Sequence, residues 1–527
     1  MRVSRGTVLV GLTLATALAM GGSIRNGFVD DDVPIIVQNP HVTDPSHWHE
    51  IPATTYWIST LWRPLTITGF ALEWRATNGA AWCFHLVSLA LYLLAGVLLV
   101  LLMERLGMRT GVTLLAGLAF MVHPVHVEVV ASIVGQSELL ATISLLAATL
   151  LYLRARRQPT VWALPTLLLA VTAGILAKEQ GFVAPVLLLG AEWLLTSGCT
   201  DAPRDRLRYL IPVWAVAALM LVVRSTVTGS LAGETPAAAL VPLGIGGRLL
   251  TFLRTVPAYA RLLVWPVHLQ AEYGPPGLHV GGPLTAMHLL GIALIALVVA
   301  IFAAFRYRKP AVAFGLWWAA VTLAPVANIL APTGLIMAER VFFLPTVGLA
   351  IALAGVIDAW QWPVWPRVAG LALAALWIVG VTVRSALRVP VWRTQAGFFT
   401  QLTVDAPASY YAFFVAGTYW RSAAQPAKAE ADLRHALLLE PSDTRVHMML
   451  GQLLRENRHC DAAIPVYASG LALDAQEAIL RAGLIECEIV EKQWSAAERD
   501  ARNGMALGQS GFATSLDRIH RAEETTP

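Results

Sequence analysis

The chain has 527 residues, of which 56% are hydrophobic and only 14% charged, with a mean hydropathy of +0.61 and a formal charge of +4 at pH 7. Soluble proteins carry about 25% charged residues, so a water-solvated fold of this length cannot hide so much apolar surface, and most of the chain has lipid as its solvent. The same figures exclude a disordered chain, a disulfide-rich secreted scaffold and a nucleic-acid-binding protein; the four cysteines (Cys83, Cys199, Cys460, Cys487) form no CxxC pair, which argues against a zinc or redox motif.

Apolar runs of about 16–24 residues, separated by short polar turns, recur up to residue 385 and then stop. The predicted fold is all-α: a polytopic helical membrane domain over 1–385, a linker over 386–409 and a water-soluble helical tail over 410–527. About eleven transmembrane helices are predicted, at 7–22, 80–103, 111–122, 138–153, 160–177, 181–196, 209–223, 284–305, 311–329, 341–359 and 368–383. The third is short, and its helix is expected to continue past His123 in protein-lined surroundings. The first also resembles a secretory signal, with two arginines, an apolar stretch and small residues. The polar motif that follows it argues for a retained span.

That motif is FVDDDVPIIVQNP, in which Asp30, Asp31 and Asp32 leave the first span on its outer side. Three adjacent carboxylates repel one another, which raises at least one pKa toward the range of a general base. A solvated cluster at a helix end is the alternative. Further along lie Arg63 in LWRPL, then HPVHVEVVASIVGQSELL with His123, His126, Glu128, Gln136 and Glu138, then Lys178 and Glu179 in LAKEQG. As metal ligands the second set is weak, because it is not HExxH and no third ligand has diagnostic spacing. The stretch 248–266 is apolar but carries Arg248, Arg254, Arg261, Pro257 and Pro266, so an interfacial or re-entrant helix is expected there. Arg340 follows in MAERVFF. Cations at membrane boundaries ordinarily snorkel to headgroups. Convergence of several on one lipid-linked phosphate is the sharper reading.

Charge placement sets the orientation. With the N-terminus cytoplasmic, one side receives Arg2/Arg5, Arg105/Arg109, Arg154/Arg156/Arg157, Arg204/Arg206/Arg208 and Arg306/Arg308/Lys309. An odd number of spans then leaves the tail on the non-cytoplasmic side, either the periplasm of a bacterial inner membrane or the lumen of the endoplasmic reticulum.

The tail repeats with a period of 34. Gly417 and Gly451 keep this step, with Ile485 next in register, as do Ala429, Ala463 and Ala497, and Ala436, Gly470 and Gly504. This is the period of the tetratricopeptide repeat (TPR), an α-solenoid of helical hairpins that holds extended or helical peptide. Three units at about 410–443, 444–477 and 478–511 and a capping helix at 512–524 are predicted. Cys460 falls near the start of one helix and Cys487 toward the end of the next, which leaves open a bridge or two separately buried thiols.

The segments FVDDDVPIIVQNPHV, LWRPLT, HPVHVEVVASIVGQSELLA, LAKEQGFVAPVLLL and NILAPTGLIMAERVFFLPTVG stand in the order and spacing of the transmembrane-and-TPR (TMTC) O-mannosyltransferases, and over nearly its whole length the chain resembles that family. The resemblance implies a GT-C-type membrane glycosyltransferase that moves a sugar, mannose first, from a polyprenyl-phosphate carrier to a hydroxyl of a protein acceptor. It implies Asp31 and Asp32 as the catalytic acid pair, with Asp31 the base, and Arg340 as the clamp on the donor phosphate. Arg63, Lys178, His123 and His126 are further phosphate-binding candidates, and Glu128 and Glu179 further site candidates. No cofactor is expected beyond the donor itself, and the metal requirement stays open. Three departures from the family pattern stand out: Asp30 where an aromatic residue commonly precedes the acid pair, Gln136 where an arginine is often found, and only three repeats. The reading from a different class is a non-catalytic membrane scaffold whose TPR arm recruits partners.

Overall fold

The computed structural model describes residues 5–56, 61–196, 203–230, 236–359 and 364–525. Arg2 and Cys199 lie outside the described residues, as does the side chain of Arg204. The described residues are predominantly helical and contain no β-strand. The chain divides into two compact units, the first Met1–Ala271 with Val280–Phe398 and the second Glu272–His279 with Phe399–Pro527. Residues 386–409, expected as a linker, carry two helical stretches, Val389–Trp392 and Gln395–Asp405.

Among the described residues of the first unit, seven helices are long and apolar enough to cross a membrane: Arg5–Arg25, Ala81–Arg105, Ile133–Arg157, Arg206–Thr228, Ala286–Phe305, Glu339–Ala359 and Val368–Trp392. All eleven expected spans coincide with helices. The other four are a bent pair and three shorter apolar helices, so seven or eight spans meet the criterion by length and composition. The bent pair, Thr110–Met121 with Pro124–Ala131, turns by 53° at His123. Pro124 causes the break, since it denies the helix an N–H and holds the preceding residue extended, at φ −71° and ψ 127°. The short helices Ala163–Ala177, Ala184–Leu195 and Pro310–Val326 pack within the protein, where irregular backbone at their ends finds partners. The helix Ile245–Val264 buries Thr251, Thr255, Tyr259 and Leu262 along one face and exposes Ile245, Leu249 and Val264.

Burial separates the helices by role. In the most apolar window of Ile133–Arg157, 78% of residues are buried, and in that of Glu339–Ala359, 67%. Ala286–Phe305 and Val368–Trp392 bury only 11%. The first two therefore form the protein-lined centre, and the other two face lipid.

The second unit follows its sequence period. First helices begin at Tyr410, Thr444 and Ala478, and second helices at Pro426, Cys460 and Trp494, each step being 34 residues. The caps keep the same register: the side chains of Ser409, Asp443 and Glu477 each accept a backbone N–H of the helix they precede. Ala429, Ala463 and Ala497 are fully buried, so paired helices close upon them, and Phe512–Thr525 packs on the last pair.

One carboxyl in this unit is out of place. Glu488 is buried against Asp500 of the neighbouring helix, and burial, with the Asp500 charge added, pushes it from its ordinary 4.5 up to about 7. The folded unit then binds more protons than the unfolded chain between those values. Its stability is fullest below the unfolded pKa and declines as pH rises to about 7. Glu488→Gln should remove that dependence and stabilise the unit above pH 7 by about 1–2 kcal/mol. Calorimetry of the full chain at pH 5 and 8 checks this; an unchanged pH dependence would refute it.

Candidate active site

The acid run leaves the first span in a tight loop. Asp30 takes a left-handed conformation at φ 55°, and its backbone N–H donates to the Gln395 side chain at 2.9 Å. The reversal sends its two successors to different places. Asp32 is fully buried and accepts the backbone N–H of Val29 at 3.2 Å and of Val134 at 2.9 Å, with the Ser132 hydroxyl at 3.4 Å. Burial pushes its carboxyl up to about 7 in spite of those N–H donors. Asp31 stays one-third exposed, and its Oδ2 accepts Arg340 Nη1 at 2.9 Å. Ile35 and Ile36 just beyond, with Val42, Ile51, Ile67 and Phe70, form the apolar cluster that holds the loop.

The turn that receives Asp32 depends on Gly135. A Cβ there would run into the carbonyl of Val129, so only glycine lets the Ser132–Gly135 turn close and aim the Val134 N–H at the carboxylate. Gly181 plays a similar part at the second loop, where a Cβ would collide with the backbone of Gly174. That close approach seats the loop bearing Lys178, Glu179 and Gln180.

Three cations meet four carboxylates across these loops. Arg340 bridges Asp31 and Glu128: its backbone N–H donates to Glu128 Oε2 at 3.1 Å and its Nε lies 3.6 Å from Oε1. Lys178 pairs with Glu138, which also accepts the Ser137 hydroxyl at 2.7 Å. Arg63 donates from Nε and Nη2 to Glu179 Oε2 at 2.9 and 2.8 Å, its guanidinium lying over the Tyr56 ring at 4.6 Å. Burial would raise Glu179, but Arg63 prevails and holds its carboxyl below the ordinary range. Burial likewise lowers Lys178, with Glu138 opposing. Only the Asp31–Arg340 pair keeps a quarter or more of both side chains open to solvent, whereas Arg63, Lys178 and Glu138 are at most about one-tenth exposed.

The two histidines are committed elsewhere. His123 Nε2 donates to the carbonyl of Leu263 at 3.1 Å while Nδ1 accepts the Val125 N–H at 3.3 Å. His126 sits between the Tyr92 hydroxyl and Thr346 Oγ1, both at 2.9 Å, packed against Phe120 and Phe343. The structure thus brings Asp31, Glu128, Arg340, Lys178, Arg63 and Glu179 into carboxylate–cation pairs and ties His123 and His126 into the helix packing.

Glu138, named in the sequence with the histidine-bearing cluster but given no role there, is the carboxylate that the buried Lys178 requires. Three further participants were not among the sequence candidates. Tyr56 carries Arg63 on its ring, for which no spacing gives notice. Both polar atoms of the Gln180 amide are buried and meet no partner. Glu73 accepts the Gln136 amide at 3.0 Å, and burial raises its carboxyl to about 8. An arginine at 136 would supply a charge partner; glutamine leaves the Glu73 proton in place near neutral pH. Among the described residues, no three His, Cys, Asp or Glu side chains gather as a metal-ion site.

No family model matches the chain. It is 31% identical over 289 residues to the Drosophila melanogaster protein O-mannosyl-transferase Tmtc2, a match covering 51% of this chain and 30% of that protein. To human protein O-mannosyl-transferase TMTC3 it is 26% identical over 399 residues, covering 67% of this chain and 42% of the relative. To human TMTC4 of the same description it is 24% identical over 506 residues, covering 84% and 63%. The chain thus matches less than two thirds of the length of each of these relatives. Across these matches its similarity to the TMTC protein O-mannosyl-transferases extends over as much as 84% of its length, and its helices make it a multi-pass membrane protein.

Proposed function

We propose that this chain is a membrane glycosyltransferase that moves mannose from a polyprenyl-phosphate carrier to a hydroxyl of a protein acceptor. The reading rests on the similarity to the TMTC proteins and on one geometric observation: Asp31, partly open to solvent where Asp32 is fully buried, is held at 2.9 Å by a cation that itself remains accessible. Asp31 takes the proton of the acceptor hydroxyl. The acceptor oxygen bonds to the sugar carbon as the carbon–phosphate oxygen bond breaks, and the polyprenyl phosphate leaves with the electron pair. Arg340 neutralises that leaving phosphate, with Lys178 and Arg63 adding positive field behind it. Asp32 holds the loop; Glu128 orients Arg340, and Glu179 orients Arg63. His123 and His126 are held in the helix packing by their own hydrogen bonds.

The resting pair gives the steps an order. A donor phosphate competes with Asp31 for the guanidinium of Arg340, and its arrival frees the Asp31 oxygen to accept a hydroxyl proton. Donor binding therefore precedes productive acceptor binding. The 34-residue hairpin array presents the acceptor, and both it and the acid loop lie on the non-cytoplasmic side.

Arg340→Ala should raise the apparent Kd for the polyprenyl-phosphate sugar about 10–100-fold, from the loss of one charge-assisted contact, and change acceptor affinity little. An unchanged donor affinity would remove Arg340 from the phosphate site. The reaction itself is tested by reconstituting the full chain in liposomes with polyprenyl-phosphate mannose. Mass spectrometry of non-cytoplasmic glycoproteins, with and without the chain, then identifies the acceptor. Absence of any chain-dependent glycosylation would overturn the proposal.

A further inference from the structure

The second unit brings two thiols into contact. Cys460 opens the second helix of the second hairpin, Cys460–Leu473, and Cys487 lies in the first helix of the third, Ala478–Val490. Both are free thiols here, 2% and 0% exposed, and their Sγ atoms stand 2.8 Å apart. Cys83, the other described cysteine, lies in the first unit. Among the described residues of the second unit, Cys460 and Cys487 are the two cysteines.

We propose that Cys460 and Cys487 are joined by a disulfide in the membrane-resident protein, tying the second hairpin to the third. Placement supports a tie at this joint. Gly417 and Gly451 give the first two hairpins a close helix approach, whereas the equivalent position in the third is Ile485. The third hairpin also carries the buried Glu488 beside Asp500. The bond spans 27 positions of sequence, a loop whose closure constrains the unfolded chain substantially.

The chemistry indicates a structural bond rather than a switch. Each thiol gives up its hydrogen and the two sulfurs share a new bond. Two electrons and two protons pass to the disulfide of an exchange partner, which leaves as a dithiol. Attack requires a thiolate and access. Burial pushes the Cys487 thiol up and closes both sulfurs to any oxidant, so the exchange takes place before the hairpins close. Once the hairpins are packed, reductants reach the bond only when the joint opens.

A disulfide persists outside the cytoplasm and not within it. The bond therefore carries the sidedness of the second unit, independently of any sugar transfer. The test is peptide mapping of the full chain from native membranes, quenched in acid and alkylated with N-ethylmaleimide under denaturing, non-reducing conditions. The expected result is one linked peptide containing Cys460 and Cys487, which separates on reduction. Reduction, or the Cys460→Ser/Cys487→Ser pair, should lower the unfolding transition of the second unit by roughly 10 °C. Only the wild-type protein should respond to reductant. Recovery of both cysteines as alkylated free thiols, or of either one linked to a different cysteine, would overturn the proposal.

Discussion

Asp31→Asn should abolish sugar transfer while leaving the protein folded. The amide keeps the shape of the side chain and its carbonyl oxygen can still accept Arg340 Nη1, so the 2.9 Å contact survives in neutral form. What it loses is the capacity to take a proton. General-base contributions of this kind are worth about 100–10,000-fold, and turnover of the purified variant should fall by at least about 100-fold. Asp32→Asn provides the contrast. Asp32 accepts three donors and points none back, so an amide there turns its NH2 toward backbone N–H groups and costs about 1–3 kcal/mol. Loss of transfer in that variant should come with a lowered unfolding temperature. Asp31→Asn with wild-type turnover would remove Asp31 as the base.

The contrast between these neighbours marks how far the sequence is legible. Three adjacent carboxylates read as one repelling cluster, because a linear string carries no information about which side chain turns inward. The left-handed backbone at Asp30 and the turn at Gly135 make that choice, one at each end of a contact between residues about a hundred positions apart. The same limit hides Arg63–Glu179 and Lys178–Glu138: each residue stands out as a charge beside an apolar run, but its partner does not. The histidines show the same limit. They read weakly as metal ligands, and the partners that hold both nitrogens of His126, Tyr92 and Thr346, look in the sequence like ordinary helix packing.

Where a pattern is periodic, the sequence says much more. The 34-residue step of small residues fixes the starts of six helices and three caps, because each hairpin must repeat the same close contact to bury its face. Spans are legible as apolar runs for the same reason, that hydropathy is local. Their lengths are not, since helices sheltered by protein, such as Ala184–Leu195, end before they could cross a bilayer alone.

Lys178→Met should destabilise the first unit by about 3–5 kcal/mol, the usual consequence of stripping one partner from a buried ion pair. Lys178 is 8% exposed and Glu138 3%, so neither charge is relieved by water. With the lysine gone, Glu138 retains the Ser137 hydroxyl as its close partner, and one hydroxyl does not balance a buried carboxylate. Lys178→Met/Glu138→Leu removes both charges and should recover most of the lost stability, because well-packed apolar replacements of a buried pair are often neutral. Stability and function should then part company. If Lys178 contributes field at the donor phosphate, the double variant folds like the wild type and still binds polyprenyl-phosphate mannose about tenfold or more weakly. If the pair only braces the loops, recovery of stability restores donor affinity with it. Thermal unfolding in detergent, measured beside donor titration for the wild type, the single variant and the double variant, separates the two. A single variant as stable as the wild type would instead mean that Glu138 is neutralised by another route, and the pair would lose its structural role.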